Sequence, residues 1–293
     1  MPVRNDPRGL VALLDALSAQ TLPIEEYEVI VVDDFSTDET AHVARASPLS
    51  RVIDAPARGG AYAARNLGVA ASSADVLAFT DADCVPAPTW LEHGLAALAR
   101  SRADLAAGHI EIPLDSRASA SALVDFARYL NQERAAAEGF GVTANLFVRR
   151  AVFDRIGLFN GKLVSGGDTE FGHRARAAGF ALVLAAEAVV VHPARSTPRE
   201  LARKAYRLGF GAAQQIRHAD GPMRHRNHIC KHVGAYAPSW GIPGMERLEQ
   251  LGLRLGIRRR LAMESVNYFF VNLPIVIGNI HGTLYERRRA EAA

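Results

Sequence analysis

Ala74-Asp75-Val76-Leu77-Ala78-Phe79-Thr80-Asp81-Ala82-Asp83 decides how the chain is read. An apolar run of strand length stops on two carboxylates one residue apart, which reads as a buried strand emptying into a polar turn. The same design occurs upstream. Glu28-Val29-Ile30-Val31-Val32 is a β-branched apolar run ending in Asp33-Asp34. Helical spacing of Leu10, Leu13, Leu14 and Leu17, a helix from about Glu39, a short strand at Arg51-Val52-Ile53 and a helix opened by Gly59-Gly60 separate these runs. A further helix is expected from Pro86 through about Arg100. Strand–helix alternation predicts βαβ units and a doubly wound α/β sheet with helices on both faces. Ligands of such sheets bind beyond the carboxyl ends of the strands. Both acidic clusters fall there, and so share one rim.

Downstream, the pattern predicts strands at Ala106–Ile112, Gly141–Arg149 and Ala181–Val191, and helices at Ser119–Glu138 and Thr169–Ala178. Residues 1–195 are expected to form a catalytic domain, with 1–103 as its nucleotide-binding half and 104–195 as its acceptor half. Residues 196–293 form a basic helical C-terminal region. Charge supports the division: residues 1–194 hold 17 Lys/Arg against 24 Asp/Glu, and residues 195–293 hold 17 against 7. A basic tail suits an anionic membrane surface or anionic acceptor. Val266–Ile280 is its most apolar stretch. At about 15 residues it is shorter than the ~20 a spanning helix needs, and Arg258-Arg259-Arg260 and Arg287-Arg288-Arg289 flank it. This reads as an interfacial or re-entrant segment or a core helix.

Near-half apolar composition and moderate charge argue against a disordered chain. Cys84 and Cys230 cannot form a disulfide framework, which suits a reducing cytosol. The first residues have no apolar signal-peptide core.

Each polar cluster has a chemical and a structural reading. Asp81-Ala82-Asp83 offers hard oxygen ligands for Mg²⁺ or Mn²⁺ bridging a nucleoside diphosphate, or caps the next helix. Asp33-Asp34 can accept hydrogen bonds from a base or ribose, or can form an Asx turn. Arg58-Gly59-Gly60 opens a helix whose N–H groups, with Arg65, can face phosphate. Asp168, after Gly166-Gly167, can serve as a general base or an N-cap. His192 can ligate a metal or sit structurally at a strand end.

In this order the segments resemble the family 2 glycosyltransferases of the GT-A fold over roughly residues 2–215. The signatures are Pro2-Val3-Arg4-Asn5, Val31 through Asp38, Gly60 through Gly68, Phe79 through Asp83, Thr143 through Phe147 and Gly167 through Arg174. The resemblance implies an inverting, metal-dependent transfer from a nucleotide sugar, commonly a UDP-sugar, to a sugar or lipid-linked hydroxyl acceptor in glycolipid or polysaccharide synthesis. It implies Asp168 as base, and Mg²⁺ or Mn²⁺ on Asp83 and His192. Val3, Asp33, Asp34, Arg58, Gly60, Arg65, Asp81, Ala82 and Asn145 would contact the donor, with Asn145 lining the sugar pocket. The expected location is cytoplasmic, peripheral at the inner membrane face, with no nucleic-acid partner. A nucleotidyltransferase would carry a Gly-rich basic loop in its first turn, which Pro2–Pro7 lacks. A degenerate binding protein would not need Asp81, Asp83 and Asp168 together.

Two departures stand out. Gly167 occupies a position where the family usually has Glu or Asp, which makes Glu170 a rival to Asp168. Only Met1 precedes Pro2, where the family has an apolar strand of about five residues. The expectation is a sheet lacking a central strand, with the natural start upstream or the chain shortened.

Overall fold

The computed structural model describes residues 1–218, 242–251 and 255–291; Cys230 lies outside them. Two compact units form. The first comprises 1–112, 131–162 and 167–193, and the second 113–130, 163–166 and 194–293.

The first unit begins with β1 (Pro2–Val3) and α1 (Pro7–Ser18), where Asp6 caps the helix by accepting from the Gly9 N–H and Pro7 takes the first helical position. The four spaced leucines are all buried. β2 (Val29–Asp33), α2 (Thr40–Ala46), β3 (Ser50–Asp54) and α3 (Ala61–Ala71) follow. The three strands form a parallel sheet in the order β1-β2-β3. Next come β4 (Val76–Thr80), β5 (Val85–Pro86), α4 (Trp90–Ser101) and β6 (Leu105–Glu111). After α5 (Ala120–Arg128), which belongs to the second unit, α6 (Gln132–Glu138), β7 (Asn145–Arg149), α7 (Arg150–Ile156), α8 (Gly167–Ala177) and β8 (Leu182–Val191) complete the first. The second sheet, in the order β4-β7-β6-β8-β5, is mixed. β6 and β8 run parallel, while β7 is antiparallel to both β4 and β6.

Alternation in sequence thus identifies an α/β fold but not the inserted antiparallel strand. The helix expected over Ser119–Glu138 breaks in two because Leu130 adopts a positive φ of 53° and Asn131 caps a new helix. Pro86 lies in β5, so α4 starts later than expected. α7 was not anticipated, since its seven residues carry no long apolar period.

The strand before Arg4 is a stub. Val32 N–H donates to the Met1 carbonyl, and Asp34 N–H to that of Val3. Beyond that stub, β2 and β4 belong to separate sheets, and a cleft of about 430 Å³ lies between them.

The second unit contains α5, α9 (Pro198–His218), α10 (Met245–Gln250), α11 (Ile257–Asn267) and α12 (Leu273–Glu291). A π-helical turn over Tyr268–Asn272 links α11 to α12 just before Pro274, whose missing N–H and bulky ring disfavour regular α geometry. The helix is therefore much longer than the apolar run alone: Ile257–Arg289 spans 33 residues, and by length and composition it could cross a membrane. α12 packs on α9 through glycine. A Cβ at Gly278 would lie 2.1 Å from the Tyr206 carbonyl, and one at Gly282 2.8 Å from that of Phe210. This Gly-x-x-x-Gly face permits backbone-to-backbone approach.

Candidate active site

The first turns of α3 gather three acidic segments that are far apart in sequence. Gly60, at φ 82°, sets the entry to the helix. The N–H groups of Gly59 and Gly60 each donate to one Asp34 oxygen, at 2.8 and 3.0 Å. Tyr62, one turn on, donates its hydroxyl to Asp168 at 3.1 Å. Arg65 forms a 2.5 Å ion pair with Asp81. Tyr62 and Arg65 are three residues apart, so they share a helix face, and the guanidinium lies 5.3 Å from the phenol ring centre. Asn66 fixes the helix to the segment after α7 by bonding both ways with the Phe159 backbone.

Asp33 is buried. One oxygen accepts from the Ser36 N–H, and the other has no hydrogen-bond partner. Buried oxygens without partners are uncommon, and this one can accept from a ligand. Asn5 ties the two rim loops, accepting from the Thr37 N–H and donating to its hydroxyl. Val3 is buried and its carbonyl is taken by Asp34, while Arg58 is exposed. Ala82 is buried, its carbonyl pressed near Gly9, where any Cβ would come within 2.9 Å.

Asp83 and His192 meet although 109 positions separate them. His192 Nε2 lies 3.6 Å from an Asp83 oxygen, and Nδ1 lies 2.8 Å from the Pro193 carbonyl. A carbonyl can only accept, so Nδ1 donates to it, which leaves Nε2 facing Asp83. With Nδ1 so engaged, Nε2 is the nitrogen a metal would take. Ligands about 2.0–2.2 Å from a shared ion can be this far apart, so the pair fits a hard divalent cation. Cys84 lies in the same group, but it is buried and burial raises its thiol pKa, with Asp81 and Asp83 reinforcing the shift. A protonated thiol is a poor ligand for Mg²⁺ or Mn²⁺.

Asp168 opens α8. Burial raises its pKa above the ordinary carboxylate value, while Arg65, the Thr169 N–H and the Tyr62 hydroxyl oppose the shift. Burial likewise raises that of Tyr62, with Asp168 adding to it, so the phenol stays a donor. A Cβ on Gly167 would sit 2.8 Å from the Tyr62 ring. The absent second carboxylate is thus explained by packing: Tyr62 occupies its place. Glu170 is taken up by Arg174, at 2.6 and 3.0 Å. Phe171 stacks on Phe153 and packs against Phe159, which anchors α8 below Asp168.

Asn145 stands apart. It is fully buried, accepts from the Trp90 indole and donates to the carbonyls of His109 and Ala188. Its amide joins α4, β6 and β8. Gly108 is required beside it, since a Cβ there would come within 2.3 Å of the amide. Sequence reasoning did not single out Tyr62. Its only signal was its one-turn spacing from Arg65.

A family model described as glycosyl transferase family 2 matches residues 1–157. Over 219 residues the chain is 36% identical to glycosyltransferase AglE of Haloferax volcanii, covering 73% of this chain and 72% of that protein. It is 30% identical over 234 residues to the pre-mycofactocin glycosyltransferase of Mycobacterium tuberculosis, covering 75% of this chain and 47% of that longer protein. Among solved structures, the mannosyltransferase PcManGT from Pyrobaculum calidifontis, in complex with GDP-Man and Mn²⁺, superposes with a TM-score of 0.63 at 21% identity. That match covers 95% of this chain and 85% of that one. S. aureus TarS 1–349 in complex with UDP-GlcNAc gives 0.54 at 16% identity, covering 96% and 87%. These two likenesses concern the fold, which is GT-A.

Proposed function

The chain belongs to glycosyl transferase family 2 and is a glycosyltransferase, and from that premise we propose an inverting, metal-dependent transfer from a UDP-sugar to a hydroxyl acceptor. The observation that carries this reading is the convergence of Asp34, Asp81 and Asp168 on the start of α3, with Asp83 and His192 adjoining. Asp168 takes the proton of the acceptor hydroxyl. Burial raises its pKa above the ordinary carboxylate value, which makes it a stronger base than an exposed carboxylate. The acceptor oxygen bonds to the anomeric carbon, and the bond from that carbon to the diphosphate oxygen breaks in line, so the configuration inverts. Asp83 and His192 would hold Mg²⁺ or Mn²⁺, which would supply positive charge against the departing diphosphate. Asp33 accepts from the base, and Arg65 orients Asp81 toward the ribose. The Mn²⁺ and GDP-Man in PcManGT, and the UDP-GlcNAc in TarS, support a nucleoside diphosphate sugar as donor.

A glycolipid or lipid-linked acceptor is supported by the second unit. Ile257, Leu261, Phe269, Leu273, Ile277 and Ile280 are exposed along one long helix, with the two arginine triplets near its ends. Such a stripe suits an anionic bilayer surface. The test is a donor panel of UDP- and GDP-sugars with Mn²⁺ or Mg²⁺. UDP-sugar turnover lost in Asp83→Ala is expected; turnover unchanged by chelator refutes the metal role. Flotation with anionic liposomes at low salt is expected. A folded protein that stays unbound overturns the membrane role.

A further inference from the structure

We propose that Phe35 is the platform on which the base of the donor nucleotide stacks. The inference rests on reading this rim as a nucleotide-sugar site, and it adds a residue that grips the base. Phe35 follows Asp33-Asp34 and holds a φ of 66°. An aromatic residue in that left-handed region is strained, because its Cβ crowds the following carbonyl oxygen. Among the described residues, Asn5, Phe35, Arg102 and Leu130 are the non-glycine positions with positive φ. Arg102 is the C-cap of α4, and Leu130 follows that of α5, where a left-handed residue is an ordinary helix stop. Asn5 tolerates the conformation through its short polar side chain. Phe35 has neither reason.

The turn is held in this shape from both sides. The Asp33 carboxylate accepts from the Ser36 N–H at 3.2 Å, and the Ser36 hydroxyl accepts from the Asn5 N–H at 3.1 Å. Arg4 Nε donates to the Phe35 carbonyl at 3.4 Å. Strain that neighbours enforce in this way gathers at ligand sites. The ring gains little from the protein itself, since Phe35 is 53% exposed. A second observation points to the ligand. The Asp33 oxygen without a hydrogen-bond partner, on a residue only 6% exposed, belongs to the carboxylate that closes this same turn. A nucleobase supplies both contacts at once: an N–H on its edge for Asp33 and a π-face for Phe35. A sugar or a phosphate has no π-face to offer.

The experiment titrates UDP, GDP and inorganic pyrophosphate, with Mn²⁺, into the parent chain and into Phe35→Asn, Phe35→Leu and Phe35→Tyr, and records the Tm of each protein without ligand. Phe35→Asn removes the ring and the strain together. It should bind UDP roughly fivefold more weakly or worse, yet melt no lower than the parent. Phe35→Leu keeps apolar bulk without the π-face and should also lose UDP affinity, whereas Phe35→Tyr should retain it. Pyrophosphate carries no base and should bind all four proteins alike. Equal UDP affinity in the parent and Phe35→Asn overturns the stack. So does a pyrophosphate loss as large as the UDP loss, or a Tm of Phe35→Asn more than about 2 °C below the parent, since either marks a ring that serves the fold. Stacking tolerates any base. A parent that prefers GDP, and loses it in Phe35→Asn, therefore upholds the stack while overturning the UDP-sugar reading. A parent that binds no nucleoside diphosphate defeats both.

Discussion

Asp81→Asn removes one charge from the Arg65 pair while keeping the side chain's shape. Arg65 is 4% exposed and would keep its charge with its nearest counter-charge gone. Breaking a fully buried pair by removing one partner costs ~3–5 kcal/mol. The Asp81 side chain is 33% exposed, so water screens part of the loss, and about 2 kcal/mol is expected. For a domain of this size that is a Tm drop of roughly 4–8 °C. The assay is a double-mutant cycle with Arg65→Met, followed by urea unfolding without donor or metal. The double variant should lose less than the sum of the singles by about 1 kcal/mol or more. A drop below about 1 °C for Asp81→Asn, or strict additivity, refutes the claim that this pair ties α3 to the rim.

Tyr62→Phe removes a donor that stabilises ionised Asp168, so the acidic limb of the rate profile should move to higher pH; an unmoved limb contradicts the contact's role. Gly167→Ala pushes a methyl group into the Tyr62 ring, which should cost about 1–3 kcal/mol in chemical denaturation and lower kcat; an unchanged midpoint and rate defeats the packing account. Asp168→Asn should abolish transfer yet raise Tm. A raised folded pKa means Asp168 favours folding at low pH and that this contribution is lost as pH rises through the folded value. The gain should therefore be largest at alkaline pH and fade in acid, and scans across pH that show the opposite trend reject the burial argument.

Strands that end on carboxylates were legible because an apolar run stopping at Asp33 or Asp81 is a local signal. The rim was legible for the same reason, since fold class alone puts strand ends together. What joins Asp83 to His192, or Tyr62 to Asp168, is tertiary and leaves no periodicity. Asn145 shows the converse. Its sequence context matched a donor-pocket signature, but three internal hydrogen bonds occupy its amide. In the sequence Gly167 stood out as one carboxylate fewer than the family usually has, whereas in the fold a side chain there would meet the Tyr62 ring. The length of the C-terminal helix was hidden because Pro274 normally ends a helix, and here a π-turn carries the chain past it.

The proposed transfer requires the Asp83–His192 pair to hold a hard cation beside a donor diphosphate. Its most direct test is isothermal titration of Mn²⁺ with UDP present, in the parent chain and in His192→Ala. One-site binding that depends on UDP and is weakened at least tenfold by the substitution is the predicted result. Equal Mn²⁺ affinity in the two proteins, or no binding in the parent, contradicts it.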